Sequence, residues 1–342
     1  MSQQIIDSSL VEQAILDSAP ERADRLHEIL EHYRPQFAVV PDSLGFVLKT
    51  KGNLIKFNDK TMKTLWMLAH AAWRIFECHS PHVLLAIRRG RSITELMAID
   101  RGIETALASF EELLYIVQGA AKAGSASELE WPDDLPSPSA DRSTISVKQQ
   151  ATFDLAIMAT AYVFLHEIQH VIFNKDRNAP AAGPALELAC DAFARDFLLA
   201  EVRSYAEKAP RLPISLKRLT FAIFARLLLA RPVWSKKVDL ILMKRAMAVS
   251  LGSFFVYEIT ATAVRAGNQD YPPFADRFET LIGKVDAKEN SDFWVFAATL
   301  LFAEVRRLNP RQSVRGKSYR EICIAAIDAI RETTPEVVIA NR

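Results

Sequence analysis

Glycine is scarce in this chain, 11 in 342 residues, while Leu, Ala, Glu and Arg abound, a composition that favours helices. Cysteine is scarcer. Cys78, Cys190 and Cys323 are odd in number and far apart, so no disulfide framework is indicated and a reducing compartment fits. Charge of one sign is lacking too. The formal net charge of +1 argues against a protein built mainly to neutralise nucleic-acid phosphates. No run reaches the roughly 18 uninterrupted apolar residues of a membrane helix. The richest stretch, 151–173, is broken by Asp154 and by a His/Glu cluster. The start, MSQQIIDSSLVEQ, lacks the basic and apolar segments of a secretory signal. The expectation is a cytoplasmic protein with no membrane partner. What is present, 50% hydrophobic and 24% charged residues, is enough to bury a full core.

Along the chain, residues 8–34 carry helical spacing and end before Pro35. Phe46-Val47-Leu48 and Leu54-Ile55-Lys56-Phe57 are short β-type runs joined across Lys51-Gly52, which predicts a hairpin near 45–58. Helical pattern resumes from Asn58, and Ser92 with Glu95 forms a capping box for a helix running to about Lys122. Residues 123–147 are polar, proline-bearing and without period, which predicts an exposed loop or linker closing an N-terminal region of 1–122. Beyond it the chain reads as helices at 148–174, 184–208, 213–230, 236–266, 273–285, 291–308 and 317–332. The expected fold is mainly α with a small N-terminal β element, the chemistry in 148–208 and a helical remainder, 209–342.

The chemistry centres on His166-Glu167-Ile168-Gln169-His170, an HExxH motif within LHEIQHVIF. Positions four apart share one helix face, so both imidazoles can address one zinc ion. Glu167 flanks the site, where it can take a proton from a water activated by the metal and pass it to a leaving amine. Five residues are short enough to arise by chance, and two core histidines with a solvated glutamate would read the same. The second helix adds weight. ALELACDAFARDFLLAEV, opened by Pro184, places Glu187 and Asp191 four apart. Two His and one Glu make a catalytic zinc set with the fourth position open, and Asp191 can receive the free N–H of a ligand histidine. The competing reading makes Glu187 and Asp191 a solvated stripe, although Leu186, Leu188, Ala189 and Phe193 make that face less plainly exposed.

HEIQH followed by ELACDAFA resembles the gluzincin metallopeptidases, in which the third ligand is a Glu on a later helix in an E-x-x-x-D pattern. The resemblance implies His166, His170 and Glu187 as ligands, Glu167 as base and Asp191 as the orienter. One similar subgroup is the ImmA/IrrE-like regulatory peptidases, which would imply cleavage of a repressor. The other is the phage-exclusion Lit-type peptidases. FVLKTKGNLIKFNDKTMKTLWMLAHAAW is similar to the hairpin and Trp-bearing helix expected before their zinc helix, and the likeness covers most of 37–200. Lit-type membership implies a cytoplasmic protein substrate, a translation factor such as elongation factor Tu, cut during phage infection; an unregulated cytosolic protease is dangerous, so restrained activity released by a trigger is expected. DYPPFADRF resembles the HPxxxxR element of other helical gluzincins, with Tyr271 where the histidine stands. A phenol can donate to a tetrahedral oxyanion. Because no histidine follows His170, a C-terminal donor would be a residue such as Tyr257, Tyr271 or Arg277.

Other features read as structural. His70, His79 and His82 near Cys78 fit no zinc spacing, and Pro81 should break the local helix. The basic runs 87–91 and 305–320 lack aromatic interleaving and read as solvated faces rather than a nucleic-acid site. Trp66 and Trp73, seven apart, read as core, and nothing near Cys190 suggests a nucleophile dyad. The leading expectation is a zinc-dependent endopeptidase, with a non-catalytic zinc-binding interaction protein as the alternative outside enzymes.

Overall fold

The computed structural model describes residues 4–90, 95, 108, 111, 115, 119–120, 123–133, 135–137, 143–208, 237–265, 271–285, 287, 289, 291–309 and 311–333. It is mainly helical with one small sheet near the N-terminus, as expected. In chain order come β1 (Gln4–Ile6), α1 (Ser9–Ser18), a 3-10 turn at Pro20–Arg22, α2 (Ala23–Tyr33), β2 (Gln36–Val39), β3 (Leu48–Lys51), β4 (Leu54–Phe57) and α3 (Asp59–Arg89). The helical run expected over 8–34 is thus split. Ala19, the residue before Pro20, leaves the helical region at φ −145°, as the proline ring demands of its predecessor.

The sheet order is β1-β2-β4-β3, with β2 parallel to β4 and the other pairs antiparallel. The predicted hairpin is β3–β4, pairing Leu48 with Phe57 and Lys51 with Leu54 across a Gly52-Asn53 turn. Gly52 takes φ +65°, where a side chain would be strained. β1 and β2 were not expected: at 3 and 4 residues they are too short to display a period. Pro81 does not break its helix, since α3 runs 31 residues through it. A proline removes one intrahelical hydrogen bond, a loss that packing of the helix elsewhere can outweigh; α3 lies against three of the long helices that follow.

Those are α4 (Val147–Asp176), α5 (Pro184–Leu199), α6 (Val202–Lys208), α7 (Lys237–Arg265), α8 (Phe274–Ile282), α9 (Asp292–Leu308) and α10 (Tyr319–Thr333). The stretch 184–208 is two helices rather than one. The helix expected over 213–230 and the one capped at Ser92 lie outside the described residues. Within the expected linker 123–147, Leu129 and Leu135 are buried, and Lys63 of α3 donates to the carbonyls of Ala126 and Leu129, both at 2.8 Å. Ser146 starts α4 with a capping box: its hydroxyl accepts from the Gln149 amide and the Gln149 side chain accepts from the Ser146 amide.

α4 is the centre of the core, lying against α1, α3, α5, α7 and β3. Its helical period sorts its side chains. Phe164 meets Phe37 and Phe57 of the sheet edge-on, with centroids 5.8 and 5.1 Å away. Tyr162, His166 and His170, four apart in turn, face the side where α5 lies. The crossing with α7 is close: a Cβ on Gly252 would sit 2.5 Å from Tyr162 Cδ1. The helical segments 149–176 and 238–260 are long and apolar enough to cross a membrane, yet an apolar 18-residue stretch of each is 78% and 89% buried inside this fold.

Candidate active site

His166 and His170 reach toward α5 from adjacent turns of α4. His166 Nε2 lies 3.4 Å from Glu187 Oε2, and His170 Nε2 lies 3.5 Å from Glu187 Oε1. Atoms bound tetrahedrally to zinc at about 2.0–2.1 Å stand about 3.3–3.4 Å apart. The two nitrogens approach different oxygens of Glu187 at separations near this value, so the two imidazoles and this carboxylate could hold one such ion, and the solvated-stripe reading of Glu187 and Asp191 fails, since Asp191 is buried and Glu187 largely so.

Asp191 anchors the cluster. One oxygen accepts from Tyr162 Oη at 2.9 Å and from His166 Nδ1 at 2.9 Å; the other accepts from Arg277 Nη1 at 2.5 Å. An ionised carboxylate only accepts, so Nδ1 carries a proton held by Asp191, and Nε2, on the Glu187 side, is the nitrogen that would be freed to ligate on losing its own proton. Arg277, on α8 and wholly buried, also donates from Nη2 to Glu187 Oε2 at 2.9 Å. Its planar fork thus spans the Glu187 and Asp191 carboxylates of α5, a geometry that an ammonium could not copy. One turn on, Arg195 continues the same α5 face and donates to the Thr280 carbonyl of α8 at 3.0 Å, fixing the two helices against each other.

Glu167 points the other way, to the sheet. Thr50 of β3 donates its hydroxyl to Glu167 Oε2 at 2.7 Å and lies 3.1 Å from the Glu167 carbonyl. Asn174 donates to the Gly52 carbonyl at 3.1 Å, so the hairpin is latched to α4 at two points.

Burial and charge set the protonation of the metal-free cluster. Burial raises the Glu167 pKa, against the pull of the His166 charge and the Thr50 hydroxyl. Burial opposes a charge on His166, but the hydrogen bonds and charges of Asp191 and Glu187 outweigh it and push its pKa up to about 10. Burial and the His166 charge push His170 down to about 4. Burial works against the Glu187 anion as well, but His166 and Arg277 hold its pKa down at about 2. Asp191 is likewise lowered despite its burial, by Arg277 and His166.

The predicted residues His166, Glu167, His170, Glu187 and Asp191 thus come together. Tyr271 sits half-buried in the bend before α8, and what that segment delivers to the carboxylates is Arg277, six residues on. Tyr257 donates instead to Glu304 at 3.0 Å. Sequence reasoning missed the places of Thr50, Tyr162 and Cys190. For Tyr162 the signal was its position four before His166; Thr50 meets Glu167 across 117 positions and left none. His70 is buried in α3, Trp66 and Trp73 are core, and Arg306, Arg307 and Arg315 of the basic run 305–320 are paired with Glu111, Glu258 and Glu304, and Glu95.

Residues 55–297 match the family model Peptidase U49, the Lit peptidase family. No curated protein and no solved structure matches the chain. A match of that span takes in the hairpin's second strand, α4, α5, α7 and α8, every helix that contributes to the cluster, and with more than half the chain covered the protein belongs to the Peptidase U49 family and is a peptidase.

Proposed function

We propose that the chain is a zinc-dependent endopeptidase whose ion is held by His166, His170 and Glu187. The observation that carries this reading is the convergence of both imidazole nitrogens on the Glu187 carboxylate, 3.4 Å from one oxygen and 3.5 Å from the other, directly beside a buried Glu167. When bound, zinc polarises the scissile carbonyl and makes water a competent nucleophile near neutral pH. Glu167 accepts the proton of the attacking water and delivers it to the departing nitrogen, so no covalent intermediate with the protein forms. A buried carboxyl with a raised pKa is suited to both halves of that task, since it binds the proton firmly enough to carry it. Thr50 holds the carboxylate in place, and Asp191 and Arg277 fix the donor atoms of His166 and Glu187. Tyr271 is the proposed donor to the oxyanion.

Among the described residues nothing pairs with the outer edge of β3, whose Thr50 touches Glu167. An extended peptide can add to such an edge by backbone hydrogen bonds, which would lay it beside the base. The substrate we propose, from Lit-type family membership, is cytoplasmic elongation factor Tu, cleaved in phage exclusion. The test is co-expression with elongation factor Tu. Wild type should fragment it, whereas Glu167→Gln should load zinc, leave it intact and remain folded. Equal cleavage by Glu167→Gln would end the assignment of the base; an intact factor in the presence of active wild type would move the search to repressors.

A further inference from the structure

Cys190 lies between Glu187 and Asp191 on α5, three residues after the first and thus on the same face. It is a free thiol with no exposed surface. The metal-ligating atoms of His166, His170 and Cys190 all lie within 4.8 Å of one another. In a tetrahedral zinc centre with Zn–N about 2.0–2.1 Å and Zn–S about 2.3 Å, nitrogen and sulfur stand about 3.6 Å apart. The 4.8 Å limit exceeds that separation by roughly 1 Å, a gap that small rotations of the three side chains would close.

We infer that Cys190 is a fourth protein ligand of the resting centre, a reading that rests on the zinc site proposed above. With His166, His170, Glu187 and Cys190 all bound, the ion has four protein ligands and no position for water, the arrangement of a structural rather than a catalytic centre. Closing exchanges one water for the thiolate and releases the thiol proton to solvent; opening reverses both. The centre is therefore switched by one ligand, and a peptide seated beside Glu167 would compete with Cys190 for the same position. A peptidase held this way is inactive until substrate or a trigger displaces the sulfur.

Cobalt(II) substitution of the full-length protein reads the ligand set without any activity assay. The expected result is one cobalt per chain, with tetrahedral visible bands and a near-ultraviolet sulfur-to-cobalt charge-transfer band. That band should vanish in Cys190→Ser with cobalt still bound, and persist in Cys323→Ser. Visible bands without charge transfer in wild type would overturn Cys190 as a ligand while leaving the His/His/Glu centre standing. Charge transfer that survives Cys190→Ser would overturn it as well. No cobalt in wild type would remove the centre and this inference together.

Discussion

Asp191→Asn removes one charge and almost no volume, and its consequences follow from three hydrogen bonds. The carboxylate accepts from Tyr162, His166 and Arg277 at 2.9, 2.9 and 2.5 Å. An amide has one accepting atom. If that oxygen keeps Tyr162 and His166, its NH2 faces the Arg277 guanidinium, donor against donor. If it turns to Arg277, His166 loses the partner that fixes its tautomer. Either way a buried group is left unsatisfied, at about 1–3 kcal/mol, more because one is charged. Arg277 keeps Glu187, so the loss should stop short of the roughly 3–5 kcal/mol seen when a buried ion pair is fully broken.

For metal binding both effects have one sign. Removing an anion near a dication weakens attraction, and freeing His166 costs orientation and basicity. Groups orienting a ligand histidine are worth about 10–100-fold in metal affinity, about 1.4–2.7 kcal/mol. The assay is zinc competition against a chromophoric chelator at fixed pH, paired with denaturant unfolding of the metal-free chain. A folded Asp191→Asn protein that holds zinc as tightly as wild type would refute the assignment of Asp191 as the group that sets His166.

Three further outcomes are expected. Gly252→Ala would press a methyl into the root of the Tyr162 ring, 2.5 Å from Cδ1 and 3.1 Å from Cβ; overpacking of about 1–3 kcal/mol should outweigh the helix-propensity gain of up to about 1 kcal/mol, lowering the melting temperature. Stability of the metal-free chain should depend on pH through both histidines. His166, raised from 6.5 to about 10, contributes fully below 6.5 and loses this as pH rises through 10, whereas His170, lowered to about 4, contributes above 6.5 and loses this as pH falls through 4. Their joint contribution should peak near pH 6.5, and a denaturation series showing no decline on either side contradicts the charge assignment. Tyr271→Phe should lower turnover by about 10²–10³-fold with zinc content unchanged; unaltered turnover would leave the oxyanion donor to another group.

What the sequence made legible was whatever repeats within one element. HExxH and E-x-x-x-D are readable because a helix brings positions four apart to one face, and each motif lies wholly inside α4 or α5. The joins between elements were not readable. Arg277 reaches Asp191 across 86 positions and Thr50 reaches Glu167 across 117, and no local pattern encodes such a meeting. Tyr271 drew attention by its place in a motif-like segment, while the guanidinium six residues later carries the contacts. Pro81 misleads for a related reason: local propensity argued for a break, and tertiary packing outweighed it at α3.

The charges of the site give one more consequence. Glu187 and Asp191 face one buried guanidinium, Arg277, and Glu167, turned to the sheet, is a third buried acid close enough to interact with His166 and Glu187. With no metal, protonation of His166 supplies the second positive charge, and an ionised Glu167 still leaves the cluster one negative charge in excess. Burial penalises the charge on Glu167 and the Glu187 anion repels it, so its pKa rises. A dication that displaces the His166 proton brings the cluster to neutrality with both imidazoles uncharged, the state in which they ligate. Glu167→Gln should therefore act with opposite signs on two measurements. It neutralises the metal-free cluster and so raises the stability of the metal-free chain, while it leaves the zinc-loaded cluster one positive charge in excess and so weakens zinc binding. Glutamine can still accept the Thr50 hydroxyl, so the packing is kept. Unfolding of the two metal-free proteins together with zinc competition separates this from a packing effect, which would lower stability in both forms. If Glu167→Gln destabilises the metal-free chain or tightens zinc, the charge balance proposed for this site is wrong.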